Sequence, residues 1–192
     1  MHKILSLFLA LALVACNSTA VADHPPLEGA AIGGPFTLTD AAGRTVRWDD
    51  FSGKYRIVYF GYSFCPDACP TDLSVLMRGL NLYAKDHAAL AGQIQPIFIT
   101  IDPARDTPKI VGEFAAAFSP RLIGLSGSPK AIDQAAKAFA VYYAKDKASS
   151  GGYLMDHSRV AYLMGRKGEP ITMLPADKGA AAVAAEINTW VK

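Results

Sequence analysis

The part of this chain with the clearest chemistry is the segment Phe60–Pro70, which contains two cysteines, Cys65 and Cys69, each followed by a proline. If this segment is helical, residues four apart lie on the same face, so one small ion could contact both sulfur atoms. Thiolates are soft ligands that favour Cu(I) among the metals common in proteins. The spacing therefore predicts, first of all, a copper-binding site.

A copper ion held by two sulfurs needs a further ligand, and the chain offers four histidines. His2 lies in an apolar leader, His24 lies in a segment without periodicity, and His87 stands among charged residues late in a predicted helix. His157 alone precedes a predicted core strand, where its loop would face the cysteines, and its two neighbours could hydrogen-bond the ring and fix its tautomer. His157 is therefore the candidate imidazole ligand, with an ordinary surface histidine as the alternative.

Cys65 and Cys69 are also compatible with two other roles. A redox-active dithiol could exchange disulfides with a partner protein, although thioredoxin-type oxidoreductases have two residues between their cysteines and this chain has three. Those oxidoreductases also place a cis-proline in the loop facing the cysteines, whereas residues 153–158 contain no proline. A purely structural disulfide would close a very small loop and would stabilise the fold little. The prolines and the aspartate around the cysteines suggest exposed thiols outside the hydrophobic core.

Regular structure on both sides positions the cysteine segment. Residues 55–61 are apolar and predict a buried strand, and an amphipathic helix is predicted from about 71 to 91. Both thiols would then lie where a strand meets the start of a helix, and the helix dipole there favours a thiolate.

The remaining elements alternate in the manner of an α/β domain. A dithiol between the first core strand and its helix is the arrangement of thioredoxin-like folds. We therefore predict a thioredoxin-like fold with a central mixed sheet, flanking helices and an N-terminal β-hairpin extension. The other predicted elements are a hairpin at 36–39 and 45–48, strands at 95–101 and 121–125, helices at 107–118 and 128–142, a loop at 145–152, a hairpin at 159–164 and 169–174, and a helix at 179–191.

The first residues, Met1–Ala15, combine one early positive charge with a short apolar run. The run is too short for a membrane span and is typical of a secretory signal. It ends in Leu-Val-Ala-Cys, which resembles a bacterial lipobox and predicts that Cys16 becomes a lipid-bearing first residue after cleavage. We expect a signal peptide at 1–15, a flexible tether at 16–32 and the folded domain at 33–192, on the periplasmic face of a bacterial membrane. An ordinary signal peptide with Cys16 incidental and an uncleaved anchor are the alternatives.

Composition bounds the class of the protein. A chain of 192 residues is long enough for one domain with a proper core. Its composition, with 51% hydrophobic and 19% charged residues, is typical of a globular protein. The formal net charge is only +2 and the sequence has no basic block, so nucleic-acid binding has no support.

Three segments together resemble the signature blocks of the Sco/SenC family, in the same order: Gly61–Pro70, Thr100–Pro108 and Leu154–Ser158. The resemblance extends over about residues 33–192. It implies a thioredoxin-like, membrane-anchored copper protein that serves in assembly of the binuclear copper centre of cytochrome c oxidase.

Residue by residue, the resemblance implies that Cys65 and Cys69 are the sulfur ligands and that His157 is the imidazole ligand of a copper ion. Asp102 matches the aspartate of the second block, which implies a supporting or partner-facing role at most; the alternative is simple punctuation between a strand and a helix. Many members of the family use an N-terminal membrane helix, whereas this chain is predicted to use lipid on Cys16.

The expected function is that of a membrane-anchored copper chaperone that turns over no substrate. Its expected partners are the copper-bearing subunit of the oxidase or another copper carrier, together with the membrane through the lipid anchor. The alternative is a thiol-disulfide oxidoreductase that keeps the oxidase copper-site cysteines reduced. Both roles could coexist, because copper binds only to reduced thiols and an oxidising compartment tends to remove them.

Overall fold

The computed structural model describes residues 24–146 and 152–192 of the chain. The predicted signal peptide, Cys16 and the first part of the predicted tether lie outside the described residues, as does most of the predicted loop at 145–152. Within the described ranges, no helix is both long enough and apolar enough to cross a membrane.

The order of the elements is that of an α/β domain, in which strand–helix units precede an antiparallel hairpin and a last helix. Short 3₁₀ helices lie at Trp48–Phe51 and Ala176–Lys178. The other elements are β1 (Thr37–Thr39), β2 (Thr45–Arg47), β3 (Tyr55–Gly61), α1 (Ala68–Asp86), α2 (Ala88–Ala91), β4 (Ile94–Thr100), α3 (Pro108–Ala116), β5 (Ile123–Leu125), α4 (Pro129–Ala138), β6 (Tyr143–Lys145), β7 (Met155–His157), β8 (Ala161–Met164), β9 (Pro170–Met173) and α5 (Ala180–Trp190).

A mixed five-stranded sheet of order β5-β4-β3-β8-β9 forms the centre of the domain. Every residue of β3 is buried, as expected for a central strand covered on both faces. β3 is antiparallel to β8 and parallel to β4, so Gly61 and Thr100 lie opposite each other at the carboxyl ends of two neighbouring strands. The cysteine segment begins at this end of the sheet. The predicted thioredoxin-like α/β class with a mixed sheet is confirmed.

The predicted N-terminal hairpin is confirmed as β1 and β2, which pair antiparallel with Thr37 opposite Arg47. Thr39 and Ser126 exchange two backbone hydrogen bonds, of 2.7 and 3.0 Å. These bonds attach the hairpin to the chain directly after β5.

Helices α1 and α5 pack so closely that their contact requires a glycine. A Cβ atom at Gly79 would lie 2.5 Å from Cγ1 of Val183, well inside van der Waals contact. Along α1, Leu73, Leu76 and Leu80 are buried in the core. The part of α1 that follows Cys69 is therefore fixed to the core by buried side chains from Leu73 to Leu80.

The bounds of α1 differ from those predicted. The helix begins at Ala68 rather than at about 71, because the first N–H groups of a helix have no intrahelical partner and Pro70 is tolerated there. His87 leaves the helical conformation, with φ −132° and ψ 45°. The prediction of one continuous helix to residue 91 is therefore wrong, and α2 follows as a separate turn.

A small two-stranded sheet occupies a region that the sequence predicts as helix end and loop. α4 ends at Ala138 rather than at 142, and Ala140 takes a left-handed φ of 51° that no helix continues. The chain then enters β6, which pairs antiparallel with β7, so that Tyr143 lies opposite His157. His157 therefore lies on a hydrogen-bonded strand.

The described part of the predicted tether packs against the domain. The N–H of Leu27 donates to the carbonyl of Ile171 at 3.0 Å, and the N–H of Gly33 donates to the carbonyl of Ala138 at 2.8 Å. Leu27 and Ile32 are partly buried against the core. Residues 27–32 of the predicted flexible tether therefore contact the domain in this structure, since burial of their two apolar side chains favours docking.

Candidate metal centre

The cysteine segment turns directly from the end of β3 into the first turn of α1. The N–H of Cys69 donates to Sγ of Cys65 at 3.4 Å. Burial alone would raise the pKa of the Cys65 thiol, but hydrogen bonds from the backbone of residues 67–69 outweigh it and lower this pKa below its usual value. Cys65 is half-buried and is the thiol that ionises more readily, as the start of a helix predicts.

Cys69 has the opposite environment. Its side chain is fully buried and belongs to the hydrophobic core. The expectation that both thiols lie outside the core is wrong for Cys69, because α1 begins early enough to turn this residue inward. Burial raises the pKa of the Cys69 thiol well above its usual range, and a hydrogen bond with the backbone of Tyr62 offsets only part of that rise.

His157 approaches Cys69 from the end of β7. Its Nε2 lies 3.3 Å from Sγ of Cys69, and its Nδ1 lies 3.0 Å from the carbonyl oxygen of Ser158. Because a carbonyl oxygen can only accept, Nδ1 carries the proton, and the lone pair of Nε2 is left available for a metal. The rings of Tyr59 and Tyr62 meet the imidazole edge-on, with centroids 6.3 and 6.1 Å away. Burial lowers the pKa of His157, which favours the neutral ring that a metal requires.

The structure brings together the three side chains that the sequence singles out. The ligand atoms of Cys65, Cys69 and His157 all lie within 4.8 Å of one another, and the described residues contain no other group of this kind. Two thiols and a neutral imidazole form a soft donor set, which suits copper or zinc and does not suit magnesium or calcium. The other described histidines lie apart from it: His24 pairs with Glu28, and the ring of His87 stacks on a tyrosine.

Asp102 lies beside the centre but does not belong to the ligand group. Its carboxylate is buried and accepts hydrogen bonds from Nε of Arg105 (2.5 Å) and Oη of Tyr153 (2.8 Å). Tyr153 precedes the strand that carries His157. Asp102 therefore connects the end of β4 to the strand that carries His157. Its role goes beyond marking the boundary between a strand and a helix.

Sequence reasoning missed Asp106, which fixes the other side of the centre. Its carboxylate is fully buried and accepts hydrogen bonds from the N–H of Ser63 (2.9 Å), from the hydroxyl of Ser63 and from Oγ1 of Thr100 (2.6 Å). These bonds hold the segment before Cys65 against the end of β4. The position of Asp106 in the second of the three family-like segments was the signal that could have found it.

Sequence reasoning also missed a buried carboxylate on α1. Asp72 accepts hydrogen bonds from Oη of Tyr59 (2.8 Å) and from Nη2 of Arg159 (2.7 Å). Burial raises the pKa of Tyr59, so the phenol remains a donor. Arg159 follows His157 by two residues, so this ion pair fixes the chain after the histidine to α1. Three positions this far apart in sequence carry no short motif that could have revealed them.

Comparison with protein-family models matches residues 24–192 to the family described as SCO1/SenC. SenC of Rhodobacter capsulatus is 45% identical over 138 residues, covering 72% of this chain and 61% of that protein. The mitochondrial SCO1 homolog 1 of Arabidopsis thaliana is 42% identical over 148 residues, covering 77% and 43% respectively. The mitochondrial SCO1 homolog of Homo sapiens is 35% identical over 162 residues, covering 84% and 53%. The chain spans about half the length of the curated relatives it matches.

Solved structures of Sco proteins also match this chain. The copper-bound structure of Bradyrhizobium japonicum ScoI matches with a TM-score of 0.74 and 37% identity, covering 83% of this chain and 99% of that chain. Copper-bound yeast Sco1 matches with a TM-score of 0.75 and 35% identity, covering 83% and 87%.

Proposed function

The chain belongs to the SCO1/SenC family, and on this premise we propose that it binds copper through Cys65, Cys69 and His157 and hands it on during assembly of the binuclear copper centre of cytochrome c oxidase. Copper is the cargo in this role, and the protein turns over no small-molecule substrate. The copper-bound relatives from Bradyrhizobium japonicum and yeast support the choice of metal. The proposed recipient is the copper-bearing subunit of the oxidase or another copper carrier.

The observation that carries the proposal is the convergence of three soft ligands from two separate parts of the chain. Cys65 and Cys69 come from the junction of β3 and α1, and His157 comes from β7, 88 residues after Cys69. The ligand atoms lie within 4.8 Å of one another. A disulfide that only staples the fold does not need a neutral imidazole held against one of its sulfurs.

The chemistry of the three side chains fits both oxidation states of copper. Two thiolates satisfy the soft Cu(I) ion, and the imidazole adds a ligand that suits Cu(II) as well. The metal displaces the thiol protons, so binding releases protons to solvent. Cys69 is buried while Cys65 is half-buried, so a partner would reach the cargo from the Cys65 side.

The proposed anchor is lipid on Cys16, after removal of residues 1–15 as a signal peptide. The lipobox-like end of the apolar run supports this proposal. A lipidated terminus would hold the domain at the periplasmic face of a bacterial membrane without a spanning helix.

The test of the proposed function is the copper stoichiometry of the purified, fully reduced chain, measured by metal analysis after equilibrium dialysis. Cys65→Ala and Cys69→Ala each remove one soft ligand, and His87→Ala serves as the control outside the site. One copper per chain in the wild type and the control, with none in either cysteine variant, supports the proposal. One copper per chain in both cysteine variants overturns it.

A second function, thiol-disulfide exchange with a partner, is favoured by the difference between the two thiols. The more acidic thiol, Cys65, is accessible, and the less acidic Cys69 lies behind it, as in a pair of attacking and resolving cysteines. Cys65 and Cys69 would lose two electrons and two protons and form a disulfide, while a disulfide on the partner gains both and becomes two thiols. A reversible dithiol potential that is unchanged in His157→Ala, without one-to-one copper binding, would favour this role over copper delivery.

A further inference from the structure

The segment between β4 and α3 contacts both ligand-bearing parts of the chain, and Arg105 lies in its middle. Nε of Arg105 donates to Oδ2 of Asp102 (2.5 Å), and Nη1 donates to the carbonyl of Tyr153 (2.9 Å). Tyr153 lies two residues before β7, which ends at His157. One guanidinium therefore connects the end of β4 to the backbone that leads into the histidine.

The same guanidinium contacts the cysteine segment. Cζ of Arg105 lies 3.7 Å from the ring centroid of Tyr153, 4.9 Å from that of Phe64 and 5.6 Å from that of Tyr62. Phe64 directly precedes Cys65. A planar guanidinium stacks well on aromatic faces, which a lysine in its place would not reproduce. Arg105 thus lies between aromatic rings from the cysteine side and from the histidine side of the centre.

The two sides of the centre depend on Arg105 to different extents. The cysteine side has its own buried anchor, because Asp106 binds the N–H and hydroxyl of Ser63. The chain after His157 is fixed by the ion pair of Arg159 with the buried Asp72. The chain before His157 contacts Arg105 and Asp102 through Tyr153, whose ring also lies 3.7 Å from Nζ of Lys145, and it pairs with β6 as a strand.

The guanidinium of Arg105 is hydrogen-bonded at two of its three nitrogen atoms. Nη2 of Arg105 is buried and has no hydrogen-bond partner in the described part of the chain. A buried donor without a partner destabilises a fold. The other two nitrogen atoms donate to Asp102 and to the carbonyl of Tyr153, and these two bonds set the position of the guanidinium.

We propose that Arg105 is a positioning residue, which braces the segment before His157 against the cysteine segment and so keeps Nε2 within reach of Sγ of Cys69. The inference rests on the proposed copper-binding function, because it assigns a role toward that same site. Without the brace, the backbone before His157 gains freedom, and the imidazole leaves the two thiols for part of the time.

The first arm of the test uses the metal-free, reduced chain. Arg105→Ala is compared with Arg121→Ala, a matched control in which the lost arginine bridges the carbonyls of Ala91 and Ile94 at the far end of β4. Nuclear Overhauser contacts between the His157 ring and the Cys69 side chain should weaken only in Arg105→Ala. Amide hydrogen exchange at residues 153–157 should accelerate about tenfold or more there, because a hydrogen bond to a charged group is lost. Exchange and ring contacts identical in the two variants overturn the inference.

The second arm adds copper. Arg105→Ala should weaken Cu(II) binding by about tenfold, at the lower end of the effect of removing supporting contacts from a metal site. Cu(I) affinity should change less than about threefold, since both thiolates remain. Arg105→Lys should recover part of the loss, and Arg121→Ala should match the wild type. Unchanged Cu(II) affinity in Arg105→Ala overturns the inference. A wild type that binds no copper overturns the proposed function instead, and the positioning role of Arg105 is then decided by the first arm, which needs no metal.

Discussion

Cys65 and Cys69 differ in environment far more than their spacing suggests. Cys65 is half-buried and receives hydrogen bonds from the first amides of α1, while Cys69 is fully buried beside His157. The amides at the helix start lower the pKa of Cys65 against the opposing effect of burial, and burial raises the pKa of Cys69. The pair therefore presents one reactive thiol to solvent and keeps the other inside.

Iodoacetamide should modify Cys65 before Cys69 in the metal-free, reduced chain. The thiolate is the reacting form. Because the pKa of Cys65 is lowered, its alkylation rate should reach half of its maximum at a lower pH than that of an ordinary thiol, whose pKa is about 8.5. The rate at Cys69 should stay low there, because burial both raises its pKa and blocks the reagent. Peptide mass spectrometry after timed quenching measures the two rates, and equal rates at both sites would contradict the assignment.

The burial of Cys69 also predicts unequal effects on stability. Cys69→Ala should lower the free energy of unfolding by about 1 kcal/mol, because it leaves a small cavity in the core. Cys65→Ala should change it by less than about 0.5 kcal/mol, since that side chain is only half-buried. Urea denaturation of the metal-free variants gives both values. Equal losses would show that Cys69 does not pack in the core.

At the scale of elements, the unit of β3 and α1 places both sulfurs, and its geometry depends on Gly61. Gly61 is the last residue of β3. A Cβ atom there would lie 2.7 Å from Sγ of Cys69 and 3.0 Å from Cε2 of Phe98. The strand can therefore pass this close to the buried thiol only because residue 61 has no side chain.

Gly61→Ala should destabilise the domain by about 1–3 kcal/mol through overpacking and should displace the Cys69 sulfur. Copper affinity should fall with it. Gly34→Ala is the control, because a Cβ atom there meets its nearest neighbour at 3.4 Å, an ordinary contact. Urea denaturation and copper titration of both variants test this point; if the two glycine variants behave alike, the close approach has no effect on the centre.

The elements that the sequence predicted well are those with strong apolar runs or clear caps. β3 and β4 are long buried strands, and α3 begins at Pro108 directly after the cap residue Thr107. The start of α1 differs from the predicted one because the sequence places two prolines around Cys69, and the first turn of a helix accepts proline. β6 and β7 were missed because strands of three residues have too little pattern, and their pairing joins positions far apart in sequence.

At the scale of the whole molecule, the N-terminal segment docks at the end of the sheet opposite the metal centre. Leu27 hydrogen-bonds Ile171 on β9, beside Pro170, whose partner Met164 lies opposite Arg56 near the start of β3. The cysteines follow the other end of β3, roughly 20 Å away along the strand. An anchor ahead of residue 24 would join the domain at the end of the sheet opposite the metal centre. The metal centre would then remain accessible to a partner.

The candidate centre was predictable as a set of ligands but not as a supported structure. Cys65, Cys69 and His157 stand in segments that resemble the family, so all three could be chosen as candidates from the sequence alone. The supporting contacts of Arg105 and Asp106 depend on how β4 ends beside the cysteine segment, which is set by packing over long range. Such contacts have no local signature, and the structure was needed to assign them.

The anchoring proposal predicts the chemical form of the mature N-terminus. Mass spectrometry of the protein extracted from membranes should find a chain that begins at Cys16 with a diacylglycerol on its sulfur. Cys16→Ser should release the protein from the membrane or leave the signal peptide uncleaved, because the modified thiol is lost. An unmodified chain that begins elsewhere would refute the proposal.

The most direct test of the central claim is an equilibrium titration of the reduced chain with Cu(II) and with Cu(I), comparing the wild type, His157→Ala and the control His87→Ala. We predict that His157→Ala loses Cu(II) affinity by at least about tenfold, because the ion then has only thiolates, which it tends to oxidise. Cu(I) should remain bound to the two sulfurs, and His87→Ala should match the wild type. If His157→Ala binds Cu(II) as tightly as the wild type, His157 is an ordinary histidine, and thiol-disulfide exchange becomes the better account of this site.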